Sequence, residues 1–374
     1  LMIRRPPRST QSRSSAASDV YKRQIRLKPV PDRASQPVRP VVGLVGAGNY
    51  AKLMLLPAIR AGGGELKTVV DAAGVPGLHA ARKFDASEAS SDFKRMLADP
   101  QISAVFISTR HGSHPKLAAE ALSAGKHVFV EKPLAIDEEG LELVRQARLA
   151  HPELQLMVGF NRRFAPHTVK AKELLAGRSQ PIAAQMLVNA GAVPPEHWAH
   201  DPAAGGGRVI GEGCHFVDLL MYLVGHPITT VQAVMFGGPG LVDDKMTIVM
   251  SYADGSIGTV HYWANGPKSY PKERVEIFSE GRVLIIDNWR RLRAWNWKGV
   301  PALRGRQDKG HRAEVARFLE RVARGGPPLI PFAEIELVTR ATFAAMRSAR
   351  EGVTIRLASG EAPDAPSAEA ADAP

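Results

Sequence analysis

The chain runs to 374 residues, 44% of them hydrophobic, with a single cysteine, Cys214. That length accommodates two domains with cores of their own, and one cysteine excludes an intramolecular disulfide or a cysteine-based metal cluster, as suits a reducing cytoplasm. No apolar run approaches the roughly 18 residues that a membrane span needs, and the net charge of +12 is concentrated at one end, with +5 in residues 1–24, +3 in residues 25–40 and +4 over the other 334.

The basic end is of a kind that binds nucleic acid or anionic lipid, but the body carries no basic stripe interleaved with aromatics, so no nucleic-acid partner is expected. Residues 1–24 contain Arg4-Arg5-Pro6-Pro7-Arg8-Ser9-Thr10 and a run from Ser14 to Gln24. They resemble the translated read-through of a sequencing-library adaptor and lack the apolar core of a secretory signal. They are read as a disordered artefact, with 25–40 as a linker, which leaves an upstream domain open.

From Val41 the texture becomes short apolar runs alternating with amphipathic stretches. Strands are expected at 41–45, 66–70, 104–108, 128–130 and 156–159, and helices at 50–61, 77–84, 90–98, 115–124 and 137–150. This alternation is that of βαβ units around a doubly wound parallel sheet, so 41–160 reads as an α/β Rossmann domain. Beyond 160, longer alternating strands follow at 182–189, 231–236, 245–252, 258–263, 273–279 and 282–287. They read as an α+β domain over 161–358, built on an open, mostly antiparallel sheet. One helix at 211–224 interrupts the strands, helices at 312–323 and 332–351 follow them, and the tail 359–374 is expected to be disordered.

Gly46-Ala47-Gly48-Asn49-Tyr50-Ala51 closes the first strand and opens a helix. In that context the first glycine permits the tight turn, the second lets pyrophosphate approach the backbone, and Ala51 allows close helix–strand packing. Free N–H groups and the helix dipole then receive phosphate. Asp71, 23 residues beyond Gly48, is spaced to reach the adenosine ribose. Ala72 and Ala73 supply no arginine for a 2′-phosphate, which favours NAD over NADP. Taken alone, a glycine turn and a turn aspartate also have purely local explanations.

Glu131-Lys132-Pro133 ends the apolar run Val128-Phe129-Val130, 85 residues beyond Gly46. A lysine at the mouth of a buried strand suggests an ammonium aimed at a substrate, and its bond to proline is open to the cis form. By itself the tripeptide also fits a helix N-terminus with proline in the first turn. The motifs together, Gly46-Ala47-Gly48, Ile107-Ser108-Thr109 with His114, Gly125 to Leu134, and Gly159-Phe160-Asn161-Arg162-Arg163-Phe164, resemble the glucose-fructose oxidoreductase, inositol dehydrogenase and rhizopine catabolism (Gfo/Idh/MocA) family over roughly residues 41–350.

The resemblance implies a Rossmann domain followed by a domain whose open sheet supports the substrate site and often an oligomer interface, here a homo-oligomer. It implies an NAD-dependent oxidoreductase acting on a secondary hydroxyl or keto group of a sugar, cyclitol or nucleotide sugar. Redox-neutral glycosidic cleavage or epimerisation, and a non-catalytic NAD-binding regulator, are the alternatives. It assigns Gly46, Gly48, Asn49, Tyr50, Asp71, Thr109, His114 and Glu131 to the cofactor, and Lys132 and His215 to catalysis. Relatives commonly carry aspartate where this chain has Gly211, and Glu212 stands beside it, three residues before His215. Relatives usually have proline after the threonine, whereas Arg110 and His111 follow Thr109 here. Oxidation of an alcohol needs a base near pH 7 and a group to hold negative charge on oxygen, roles that suit a neutral imidazole and a lysine.

Candidate substrate contacts are Asn161, Arg163, His197, Trp198, Glu212 and Lys272. His197 and Trp198 lie in a loop that pairs an aromatic face with hydrogen-bonding groups, suited to a polyhydroxylated ring; Trp198 fits interdomain packing equally well. His111 and His114 are three apart without a carboxylate partner, so no metal site is expected.

Overall fold

The computed structural model describes residues 24–27, 39–237, 244–300 and 302–357. The expected leader, apart from Gln24, and the expected tail lie outside the described residues. The first unit comprises β1 (Gln24–Arg26), β2 (Val41–Val45), α1 (Leu56–Ala61), β3 (Glu65–Val70), α2 (Val75–Lys83), β4 (Glu88–Ser90) and α3 (Phe93–Leu97). It continues with β5 (Ala104–Ile107), α4 (His114–Ser123), β6 (His127–Val130), α5 (Glu138–Ala150) and β7 (Leu156–Val158). The strand order is β1-β4-β3-β2-β5-β6-β7. Every pairing is parallel except β1 with β4.

The apolar runs of β2, β5 and β6 are buried on both faces, as central strands of a helix-covered parallel sheet must be. The chain winds outward in one direction from β2 and in the other from β5. The crevice beyond their carboxyl ends, between the loops after Val45 and Ile107, is therefore the ligand position of a doubly wound sheet.

Two sequence expectations change here. Glu88–Ser90 is a strand, not the start of a helix: it pairs with β3, and Asp92 caps the helix that follows by accepting from Arg95 N at 3.2 Å. Ile25 and Arg26, expected in a linker, form an edge strand on β4.

The second unit contains α6 (Pro166–Leu175), β8 (Ala183–Asn189), α7 (Cys214–Val224), β9 (Ile228–Met235), β10 (Met246–Tyr252), β11 (Ile257–Trp263) and β12 (Glu273–Ser279). It ends with β13 (Arg282–Asp287), β14 (Arg291–Trp295), β15 (Leu303–Arg304), α8 (His311–Arg324), α9 (Phe332–Glu351) and β16 (Ile355–Arg356). Its nine-stranded sheet has the order β15-β14-β13-β12-β8-β11-β10-β9-β16, antiparallel throughout except β8 with β11. Residues alternate between a buried face under α6, α7 and α9 and an open face.

Helix α8 returns to the first sheet. Phe318 stacks edge-on against Phe106 and Phe129 at 5.5 and 5.6 Å, so this stretch of 161–358 packs with the dinucleotide-type sheet. Glu314 on the same apolar stripe is thereby carried under the crevice.

Candidate active site

The glycine turn has the geometry its residues dictate. Gly46 has φ +92°, and a Cβ there would lie 2.5 Å from the Ser108 carbonyl oxygen, so only glycine fits. Around Gly48 a Cβ would meet nothing, leaving the backbone approachable. The Ala47 N–H donates to Asp71 Oδ2 at 2.9 Å and the Ala73 N–H to Oδ1 at 3.0 Å, fixing the carboxylate at the end of β3. Asn49 is exposed at the start of a helical stretch whose first full turn, Ala51–Leu55, is π-helical. An approachable glycine backbone and a helix start to donate to phosphate, and a carboxylate at the neighbouring strand end to accept from a ribose hydroxyl, are the groups that a dinucleotide requires, so these residues fit NAD.

Three expected ligands face elsewhere. His114 is fully buried, with Nδ1 2.8 Å from the Pro133 carbonyl and Nε2 3.2 Å from that of Thr109. It braces two loops and presents neither nitrogen to the crevice. Asn161 is buried, with Nδ2 donating to the Lys309 carbonyl at 2.7 Å. Arg163 is buried in ion pairs with Asp218 and Glu334, both at 2.6 Å. His197 is exposed and accepts from Ala199 N in its own loop. Thr109 stays at the crevice, its hydroxyl 2.6 Å from that of Ser113.

Lys132, in a cis bond to Pro133, donates from Nζ to the Gly211 carbonyl at 2.8 Å. That bond joins the end of β6 to the π-helical turn Val209–Gly213, which runs into α7. One turn on, His215 is 7% exposed and its Nδ1 has no partner. Burial, then Arg162 and Lys132, hold its pKa well below the usual value, so the ring is neutral.

Glu131 is buried against the backbone of Gly159, where a Cβ would lie 2.9 Å from Oε1. Burial, partly offset by Lys132, raises its pKa to about 7. Both oxygens of Glu314 are buried without partners, and burial plus the charge of Glu131 raise its pKa well above the usual range. Tyr50 faces the pair, its own ionisation suppressed by burial and then by both carboxylates.

Glu212 belongs to a separate charged wall. Oε1 accepts from Lys272 Nζ at 2.5 Å, and Oε2 from the Tyr262 hydroxyl at 2.7 Å and from Arg208 at 3.3 Å. Burial opposes its ionisation, but Lys272 and Lys132 outweigh that and bring its pKa to about 2. Beside this wall, the loop after β5 docks on the glycine turn of the second unit. Gly112 N donates to the Ala204 carbonyl at 3.1 Å, and His111 Nδ1 lies 2.8 Å from the Gly205 carbonyl. Trp198 packs edge-on against His111 at 4.8 Å, with the Arg110 guanidinium 5.9 Å from its ring. Among the described residues no group of three or more His, Cys, Asp or Glu has metal-holding geometry.

Sequence reasoning missed Glu314, Arg162 and Glu273. The available signal was a charge at an apolar position. Glu314 lies on the stripe of Val315, Phe318 and Leu319, and Glu273 lies in phase with Val275 and Ile277 on the buried face of its strand.

Comparison with known proteins bears on this arrangement. Residues 41–160 match the family model "Oxidoreductase family, NAD-binding Rossmann fold", and residues 169–284 match "GFO/IDH/MocA C-terminal domain". The chain is 27% identical over 333 residues to scyllo-inositol 2-dehydrogenase (NAD(+)) of Bacillus subtilis, covering 85% of this chain and 95% of that protein. It is 30% identical over 229 residues to 1,5-anhydro-D-fructose reductase of Ensifer adhaerens, covering 59% of this chain and 68% of that one. In fold it is similar to levoglucosan dehydrogenase in complex with NADH and levoglucosan, with TM-score 0.75 and 24% identity over 85% of this chain and 99% of the other.

Proposed function

The chain belongs to the Gfo/Idh/MocA oxidoreductase family, and on that premise we propose that it is an NAD-dependent dehydrogenase acting on a secondary hydroxyl of a sugar or cyclitol. The observation that carries the reading is the bond from Lys132 to the Gly211 carbonyl, at the foot of the helix bearing neutral His215. On substrate binding, Lys132 exchanges that carbonyl for the reacting oxygen and holds the negative charge that develops on it. Neutral His215 takes the hydroxyl proton. Bound NAD supplies the hydride acceptor. The turn at Gly46 and Gly48 and the Asp71 carboxylate bind and orient the dinucleotide, and the absence of a basic residue at 72 and 73 favours NAD over NADP. Relatives named for inositol and levoglucosan support a polyol substrate. The proposal extends to a cytoplasmic setting, supported by the single cysteine, and to a homo-oligomer formed through the open face of the second sheet.

The test is titration of NAD and NADP, then a screen of inositols, levoglucosan and nucleotide sugars for NADH formation. Lys132→Ala is expected to lower kcat by about 10²–10³-fold with NAD affinity retained. Product formation without net NADH would instead support redox-neutral chemistry, and failure to bind either dinucleotide would overturn the reading.

A further inference from the structure

We propose that His111 is a substrate-binding residue, its Nε2 accepting a hydrogen bond from a hydroxyl on the carbon next to the reacting one, so that the substrate is a vicinal diol. The inference rests on the polyol reading above. It starts from Gly211, where a Cβ would lie 2.5 Å from His111 Cε1 and 2.9 Å from Nδ1. The imidazole thus fills the volume that any side chain at 211 would need, and the two positions admit one occupant between them.

The ring is held on three sides. A Cβ on neighbouring Gly112 would collide with the Ala203 carbonyl oxygen, so the loop is pressed onto the 203–205 backbone. The Gly205 carbonyl, 2.8 Å from Nδ1, can only accept, which puts the ring hydrogen on Nδ1 and leaves the Nε2 lone pair as an acceptor. His114 backs the ring at 5.8 Å, and its own nitrogens both face carbonyls. Burial, then the charge of Lys132, bring the His111 pKa to about 3, so it stays neutral and its lone pair stays free.

Lys132 and His111 both converge on Gly211. Lys132 approaches Gly211 from its carbonyl oxygen and His111 approaches from its Cα. A molecule spanning the two offers two oxygens, one to the ammonium and one to the imidazole, as adjacent carbons of a diol do. The Trp198 edge against the imidazole supplies an apolar wall for the ring carbons.

The test uses the full chain saturated with NADH, a non-turnover complex, titrated calorimetrically with myo-inositol and levoglucosan and with analogues lacking one hydroxyl. His111→Ala is expected to weaken binding of the better polyol about tenfold without altering NADH affinity. It should also abolish discrimination against the analogue missing the adjacent hydroxyl, and His111→Gln, which keeps an acceptor, should recover part of both. Gly211→Ala should reproduce the His111→Ala loss, and the double variant should add nothing. Nitrogen-15 NMR of the wild-type histidines gives a readout independent of those variants, with Nδ1 protonated and Nε2 bare at His111. Full discrimination retained in His111→Ala, or a proton on Nε2, would overturn the proposal while leaving the dehydrogenase reading intact. Wild-type protein that binds NADH but neither polyol would overturn the polyol reading and the role of His111 with it.

Discussion

Glu314 carries a carboxyl group on the apolar stripe of a helix, with no partner for either oxygen and Glu131 as its charged neighbour. Both folded-state pKa values are raised, for Glu131 to about 7 from an ordinary 4.5. A raised carboxyl binds its proton more tightly in the folded than in the unfolded chain. Stability from this pair is therefore fully present below the ordinary carboxylate range, and is lost as pH climbs from there through the folded value. Glu314→Gln removes one of the two ionisations. Thermal melts should show the variant more stable than wild type at about pH 8 and nearly unchanged at about pH 4; equal shifts at both would mean that Glu314 is not a buried titrating group. His111 and His215, held neutral by burial and by Lys132, are set for the opposite electrostatic role as uncharged acceptors beside a fixed cation.

Elements are joined here by buried charge. The short 3₁₀ segment Asn161–Phe164 follows β7 and sends Arg162 to Glu273 on β12 and Arg163 to Asp218 on α7 and Glu334 on α9. Glu273 also accepts from the Trp289 indole at 2.7 Å and from Lys309 at 2.6 Å, so its cluster satisfies most of its own polar atoms. Burial lifts the Asp218 pKa to about 6 in spite of Arg163, a sign that desolvation outweighs pairing there. Arg163→Ala should destabilise the protein by about 3–5 kcal/mol in chemical denaturation, because Asp218 is left buried and alone. Replacing Arg163 and Asp218 together by apolar residues of similar volume should restore most of that loss. A substrate ligand at 163 would instead show as a rise in KM with stability unchanged.

Across the whole molecule, one sheet is wrapped on both sides and the other is open on one. Pairing register puts Ile257 and Trp263 of β11, Phe278 of β12, Val249 of β10 and Trp295 of β14 on the open face. Val234, Trp263 and Phe278 are 68%, 44% and 48% exposed. Aromatic and β-branched side chains gathered on a broad sheet face are the composition of a protein interface. The double change Trp263→Lys and Phe278→Lys should lower the mass measured by light scattering to that of one chain, with dinucleotide affinity and melting of the first unit preserved. A wild-type protein that is already monomeric at micromolar concentration would remove this surface from the proposal.

Periodicity by itself determined most of the strand–helix alternation from Val41 and the two sheet types, because buried strands and amphipathic helices leave a local pattern. The glycine turn, Asp71 and Glu131-Lys132-Pro133 were legible as motifs, from residue type, spacing and their places at strand ends. Tertiary structure decided what faces what. Asn161 and Arg163 lie in a motif that reads as ligand-bearing, yet their partners are Lys309, Asp218 and Glu334, which no local pattern links to them. Glu131 meets Glu314 across 183 residues, and His111 fills the space at Gly211 across 100. A repeat along the chain records which side of an element is buried; it carries no record of which distant side chain lies opposite, and the site is made of such encounters.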